Sequence, residues 1–229
     1  METLTIEAAE RYEGWYSTPR GRWIADTEFA LLMHSLQPKA GTTLLDVGSG
    51  TGQFSRRFAN AGLDVVSLDP ALDMLTVANH NAPELPCVRG NALALPFRDQ
   101  AFDYVAAVTS LCFVEPPSRA LAELWRVCRR GVILGLLNRR SLLYSRKQGR
   151  GGYRGARWDN LDEVNRWCDT LDPRPRMTAA TGVFLPDGGW LARRFEAWLP
   201  ATMPWGSFLA IALHRSDNDS TGTTIISNS

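Results

Sequence analysis

The feature that most constrains this chain is a short apolar run closing on an acid and then three glycines at alternate positions. Leu44, Leu45, Asp46 and Val47 are followed by Gly48, Gly50 and Gly52, with Ser49 and Thr51 between them. Glycine has no Cβ, so such a turn reaches backbone angles closed to other residues and lets a ligand approach the main chain. Helical spacing takes over across Gln53–Ala61. A strand, a glycine turn and a helix in that order form the first half of a parallel β/α unit. Open parallel sheets bind ligands at the carboxyl ends of their strands. The same alternation continues downstream: strands at Asp64–Leu68, Pro86–Val88, Phe102–Thr109 and Gly131–Leu137, helices at Ala71–His80 and Arg119–Cys128. Leu161–Leu171 reads as a further helix, and Thr178–Leu185 and Phe208–His214 as closing strands. Gly131–Leu137 is apolar throughout, which suits a strand covered on both faces.

At 229 residues the chain holds one α/β domain with embellishments rather than two independent units. Residues 1–215 are expected to form that domain. Residues 1–40 make an N-terminal helical cap, 139–160 a basic insertion, and the Ser, Asn, Asp and Thr-rich 216–229 a disordered tail. Hydrophobic residues at 45% and charged residues at 21% exclude a wholly disordered chain. Twenty-five basic against twenty-four acidic side chains leave a net +1, so there is no global electrostatic case for nucleic acid. No apolar run approaches the roughly 18 residues of a membrane span. The acidic, amphipathic start argues against a signal peptide. Cys87, Cys112, Cys128 and Cys168 lie far apart, without zinc or redox spacing, as do His34, His80 and His214. Buried free thiols, a cytoplasmic location and no metal site are the expectations.

Two nucleotide readings compete at the glycine turn. A dinucleotide fingerprint needs a third glycine three residues after the second, and Gln53 stands there instead. An anionic Asp46 beside the turn would repel a pyrophosphate but suit an ammonium or sulfonium. Asp69 closes the second strand, seventeen residues after Gly52. A carboxylate there can accept both hydroxyls of a ribose, a feature shared by nicotinamide and adenosyl ligands.

With these residues in view, the segment from about Thr43 to Asn138 resembles the class I S-adenosylmethionine-dependent methyltransferases, in the branch that includes the ubiquinone and menaquinone biosynthesis type. Asp46 to Gly52 is similar to the family's first motif, and Leu68-Asp69-Pro70 with Met74 to its second, where the acid binds ribose. Gly90-Asn91-Ala92 through Phe97 resembles the adenine-lining segment, and Phe102 to Val105 with the helix Ala120–Val127 the signature around the fourth strand. The family usually has Asp where this chain has Asn91. An amide oxygen still accepts from an adenine amino group, without charge assistance. The resemblance implies a Rossmann-like, seven-stranded, mostly parallel sheet flanked by helices. It implies S-adenosyl-L-methionine as cofactor and S-adenosyl-L-homocysteine as product. The implied cofactor contacts are Asp46, Gly48, Ser49, Gly50, Gly52, Asp69, Pro70, Met74, Asn91, Ala92 and Thr109, with Ser110 beside Thr109.

Each position taken alone has a plainer reading. Asp69 could cap the following helix, Met74 could pack in the core, Asn91 could stabilise a turn, and Asp103 is structural. Their order and spacing together favour the cofactor site.

Methyl transfer from a sulfonium is an in-line displacement, so alignment can suffice without an acid–base pair. The Pro116-Pro117 pair follows a glutamate and lacks the aromatic that marks nucleobase amino-methyltransferases by resemblance, which points to a small-molecule acceptor. Tyr12, Trp15 and Tyr16 could close over the site, sheltering a sulfonium or an amine. They could equally be a cap packing on the sheet edge. Candidate substrate contacts are Tyr12, Trp15, Arg20 and Asn138, with Arg22, Glu115 and Asp159 also placed to reach a ligand. Between Arg139 and Arg157 lie seven cations and no acid, with Tyr144, Tyr153 and Trp158 nearby. They could contact RNA, hold an anionic metabolite, or form a solvated flap. RNA methylation and a non-catalytic cofactor-binding protein remain the alternatives. No residue declares itself a general base, and the acceptor and oligomeric state are not readable.

Overall fold

The computed structural model describes residues 5–186 and 199–215, together with Gly189, Arg194 and Glu196. The expected tail at 216–229 lies outside the described residues.

Seven strands form one sheet: β1 (Thr43–Val47), β2 (Asp64–Asp69), β3 (Cys87–Arg89), β4 (Phe102–Val108), β5 (Cys128–Leu137), β6 (Arg176–Gly182) and β7 (Phe208–His214). Their spatial order is β3-β2-β1-β4-β5-β7-β6. β1 to β5 pair in parallel, and β7 runs antiparallel to both β5 and β6. The chain therefore winds outward from β1 to β3 and returns to β4, which leaves a switch point between β1 and β4. That is where open α/β sheets form ligand crevices.

Strand side chains alternate between two cores, as the period of two requires. Leu44, Tyr104, Ile133 and Ala210 face one layer, made by α2 (Pro19–Leu36) and α3 (Gln53–Asn60). Leu45, Val105, Leu134 and Ile211 face the other, made by α5 (Pro117–Val127) and α7 (Leu161–Cys168). β4 is buried along its whole length, including Asp103, whose carboxylate is met by Thr43, Arg129 and Arg130. The expectation of a two-helix cap is corrected here. α2 packs on β5, β6 and β7 through Ile24, Ala25, Leu32 and Leu36 and belongs to the body of the fold. Only α1 (Ile6–Tyr16) lies over the strand ends, against α2 and α4 (Leu72–Asn81).

Helix starts are set by local chemistry. Thr5 Oγ1 accepts from the Ala8 amide, and Thr18 Oγ1 from that of Gly21, with Pro19 in the first turn of α2. Asn160 and Glu163 form a reciprocal capping box on α7.

After β5 the basic insertion carries two short helical elements anchored by apolar side chains. α6 (Leu142–Lys147) and a single 3-10 turn at Gly151–Tyr153 fold around Leu143 and Trp158, which pack with Cys112 and Leu137. Among the described residues no helix is long and apolar enough to cross a membrane. All four cysteines are free thiols, three of them buried. No cluster of histidine, cysteine or carboxylate side chains among the described residues could hold a metal.

Candidate functional site: an acidic glycine-turn cleft

β1 delivers the chain into the glycine turn beside the carboxyl ends of β2 and β4. The Gly48 and Ser49 amides both donate to Leu68 O, at 2.7 and 3.0 Å, which ties the turn to β2. Gly48 has φ of +72°, and a Cβ there would lie 2.3 Å from the Ser110 Cβ. Both conformation and space therefore demand glycine. Ser110 itself donates to Val47 O at 2.8 Å and closes the other side of the turn.

Asp69 holds this arrangement together. Its Oδ2 accepts from the Gly50 amide at 2.9 Å and its Oδ1 from the Ala71 amide at 2.8 Å. One carboxylate thus pins both the glycine turn and the entry to α4, which combines the capping reading with a place in the site. Each oxygen keeps lone-pair capacity beyond its one backbone donor. Asp46 is 1% exposed and accepts from Ser55 Oγ at 2.6 Å. Burial pushes its carboxyl up to about 6 against the Ser55 hydrogen bond, and the nearby Asp69 charge adds to the rise. Burial also raises Asp69, opposed by its two backbone donors.

The cleft at this turn has a cavity volume of about 40 Å³. Asp46, Gly48, Ser49, Gly50 and Thr109 line it from the sheet side, and Tyr12 and Tyr16 from α1. Thr109 sits one residue past β4 with φ of +48°, and its amide donates to Gly135 O at 2.7 Å. A non-glycine residue in that region is a strained conformation of the kind found at ligand sites. Ser49 Oγ is buried beside the cleft with no hydrogen-bond partner among the described residues. A buried hydroxyl without a partner costs free energy, so a polar ligand group here would be stabilising.

α1 is latched onto the turn. Thr51 Oγ1 donates to Glu13 Oε2 at 2.5 Å, Arg56 pairs with the same carboxylate, and Arg56 Nη1 donates to Thr51 O at 2.8 Å. Tyr12 and Tyr16 are linked through their hydroxyls at 2.9 Å, with rings edge to face at 5.4 Å. Tyr12 is 42% exposed overall, but its hydroxyl points inward, and burial there pushes its pKa up to about 12.

Pro70 and Met74 follow Asp69, and Asn91 and Ala92 follow β3, so the expected ribose and adenine residues flank one side of the turn. Asn91 Oδ1 accepts from the Leu93 amide at 2.9 Å, the plainer turn-forming role. Ala92 is buried and Met74 half-buried.

Of the four candidate substrate contacts, only Tyr12 lines this cleft. Asn138 is buried, its Nδ2 donating to Pro204 O and Gly206 O at 2.8 and 2.7 Å while its Oδ1 accepts from the Arg140 amide at 3.0 Å. It fixes the loop before β7 and does not line the cleft. Trp15 is outside the lining too, packing its ring on Tyr16 at 4.9 Å. Arg20 donates to Pro186 O at 2.7 Å, and its charge reaches the Tyr153 hydroxyl.

Arg139, Arg140 and Arg157 of the insertion form ion pairs with described acids. Arg139 pairs with Glu163, Arg140 with Asp162, and Arg157 with both Asp159 and Glu115, at 2.7–3.0 Å. Arg157 also donates to Leu111 O and Val114 O at 2.8 Å. Glu115 and Asp159, read as candidates for substrate contact, are committed to this arginine. Asp103 likewise accepts from Thr43 and meets Arg129 and Arg130, the expected structural role.

Sequence reasoning missed Glu13, because nothing local connects an exposed-helix carboxylate to Thr51 and Arg56 forty residues on.

A model described as a methyltransferase domain matches residues 45–136. The demethylmenaquinone methyltransferase of Renibacterium salmoninarum is 43% identical over 101 residues, which are 44% of this chain and 43% of that protein. The match thus spans less than half the length of that relative. The demethylmenaquinone methyltransferase of Thermobifida fusca is 31% identical over 187 residues, 77% of each chain. Among solved structures, a methyltransferase of Thermotoga maritima, described as S-adenosylmethionine-dependent and a possible histamine N-methyltransferase, superposes with a TM-score of 0.74 at 21% identity. It covers 94% of this chain and 100% of its own. The fold, the ordered motifs around the glycine turn and the extended match to the Thermobifida protein establish that this chain belongs to the class I S-adenosylmethionine-dependent methyltransferases, in the ubiquinone and menaquinone-like branch.

Proposed function

We propose that this chain transfers a methyl group from S-adenosylmethionine to a small hydroxylated aromatic molecule, with S-adenosylhomocysteine as the product. The observation that carries this reading is the acidic pair beside the turn: Asp46 and Asp69, both buried, with Asp69 holding the Gly50 amide and Asp46 the Ser55 hydroxyl. A ligand with a positive sulfur and a positive amino group relieves the repulsion between two desolvated carboxylates, and a pyrophosphate worsens it. When bound, the cofactor supplies an electrophilic methyl group on positive sulfur.

The residues divide the work by position. Asp69 accepts the ribose hydroxyls on the lone pairs its backbone donors leave free. Asn91 Nδ2 and Oδ1 and the Ala92 backbone meet the adenine edge. The amides of the turn, the Ser49 hydroxyl and the Asp46 carboxylate face the amino-acid end, with Thr109 beside it. Tyr12 and Tyr16, held down by the Glu13 latch, exclude water from the methyl end.

Relatives named as demethylmenaquinone methyltransferases support an acceptor of the naphthohydroquinol kind. The tyrosine wall suits such a flat ring, since aromatic pairs stack offset or edge to face. The RNA reading has less support, because Arg139, Arg140 and Arg157 are already engaged by acids.

The test is anaerobic incubation with methyl-labelled S-adenosylmethionine and a naphthohydroquinol carrying one short prenyl chain. Label in the extracted quinol is the expected result. Cofactor binding without transfer to this acceptor would refute the acceptor class, and absence of cofactor binding would refute the reading as a whole.

A further inference from the structure

A second cavity, of about 380 Å³, opens between the last turn of α2, the outer strand β6 and the turn at 200–203. Arg176 begins β6 opposite His214, the last residue of β7, and His214 pairs in turn with Gly131 near the start of β5. β5 runs parallel to β4, whose far end leads to Thr109 in the cleft. The cavity therefore lies at the end of the sheet opposite the glycine turn, and it shares no lining residue with the cleft.

Its chemistry is the reverse of the acidic turn. His34, Arg176 and His214 line it, and no carboxylate does. Among the described residues no acid pairs with Arg176. The carboxyl end of a helix carries partial negative charge, but here two of its carbonyls are occupied. The Gln37 amide donates to Met33 O at 2.9 Å, and the His214 imidazole donates to the Ser35 backbone. Thr178 Oγ1 is buried in this wall with no hydrogen-bond partner among the described residues. Leu36, Ala180 and Ala201 add apolar surface. A cavity of this size, with apolar walls and a few convergent polar groups, fits a small organic molecule. A guanidinium fork fits a carboxylate or phosphate on it.

We propose that this cavity binds a small organic anion, a carboxylate or phosphate on a compact apolar body, separately from the methyl-transfer cleft. Arg176 meets the anionic group, Thr178 Oγ1 donates to it, and the body lies on Leu36, Ala180 and Ala201. Burial and the Arg176 charge hold His214 below the usual histidine range. An anion beside both groups offsets that repulsion and completes the set of charges.

The test is titration of the full chain with 1-naphthyl phosphate and, in parallel, 1-naphthoate, followed by the imidazole proton resonances. The chain has three histidines: His34 and His214 line the cavity, and His80 stands on α4 near the other edge of the sheet. Saturable binding should shift the His34 and His214 resonances with a common midpoint and leave His80 unmoved. The tighter of the two probes then identifies the head group. Inorganic phosphate should bind about tenfold more weakly, because it leaves the apolar wall uncovered. Arg176→Gln should weaken the tighter probe about tenfold, the order of a charge-assisted hydrogen bond, with an unmoved His80 resonance showing that the variant is folded. Four results would each overturn the proposal: no saturable shift with either probe, a shift centred on His80, inorganic phosphate binding as tightly as the probes, or an Arg176→Gln affinity within twofold of the wild type.

Discussion

Gly48→Ala separates two reasons for glycine at the turn. The residue has φ of +72°, and an added Cβ would lie 2.3 Å from the Ser110 Cβ. Left-handed backbone costs a residue with a Cβ about 1–2 kcal/mol. Forcing a methyl against a packed neighbour costs about 1–3 kcal/mol more. The expected loss is thus roughly 2–5 kcal/mol, a large fraction of a typical stability of about 5–15 kcal/mol. Ser110→Gly isolates the contact. Alone it removes the hydroxyl that donates to Val47 O at 2.8 Å and costs about 1 kcal/mol. In the Gly48→Ala background it also removes the clash, so the double variant should be at least about 1 kcal/mol more stable than the sum of the singles predicts. Urea unfolding of all four proteins at 25 °C completes the cycle. A Gly48→Ala loss under about 0.5 kcal/mol would refute the backbone argument. Additive singles would refute the contact with Ser110.

The remaining predictions concern the site and its cap. Asp69→Ala should weaken S-adenosylmethionine binding by at least ~1.5 kcal/mol, about tenfold, by calorimetry; unchanged affinity removes Asp69 from the site. Asp46 titrates near 6 in the folded chain, raised from 3.8, so its contribution to stability is present below 3.8 and lost as pH rises through about 6. A cationic ligand should reverse that loss, so S-adenosylmethionine affinity should fall as pH drops below about 6, and Asp46→Asn should flatten the dependence. Glu13→Gln should release α1 from Thr51 and Arg56, seen as faster proteolysis within α1 and a midpoint change worth no more than about 2 kcal/mol; an unchanged cleavage rate would mean the latch does not hold the helix.

The β/α alternation was legible because it is local. Apolar runs of strand length, turn glycines and helical spacing each reside in a few consecutive residues, and the structure places strands at all seven expected positions. Strand ends were less legible. β6 begins at Arg176, two residues before the expected start, because its extent is set by pairing with β7 across a loop. Asn138 was misread for a related reason: its amide partners, Pro204 and Gly206, arrive from sixty-odd residues later. The insertion looked like uncompensated charge because Asp162 and Glu163 sit on α7 and Glu115 just before α5, outside the run of cations itself. α2 was placed over the site although Ile24, Ala25, Leu32 and Leu36 form a stripe that marks it as a packed helix.

Parallel calorimetric titrations of the purified chain with S-adenosylmethionine, S-adenosylhomocysteine and NAD test the central claim most directly. The acidic glycine turn predicts saturable binding of both adenosyl ligands and none of the pyrophosphate-bearing NAD. Binding of NAD, or of none of the three, would contradict the assignment of this cleft to an adenosyl sulfonium cofactor.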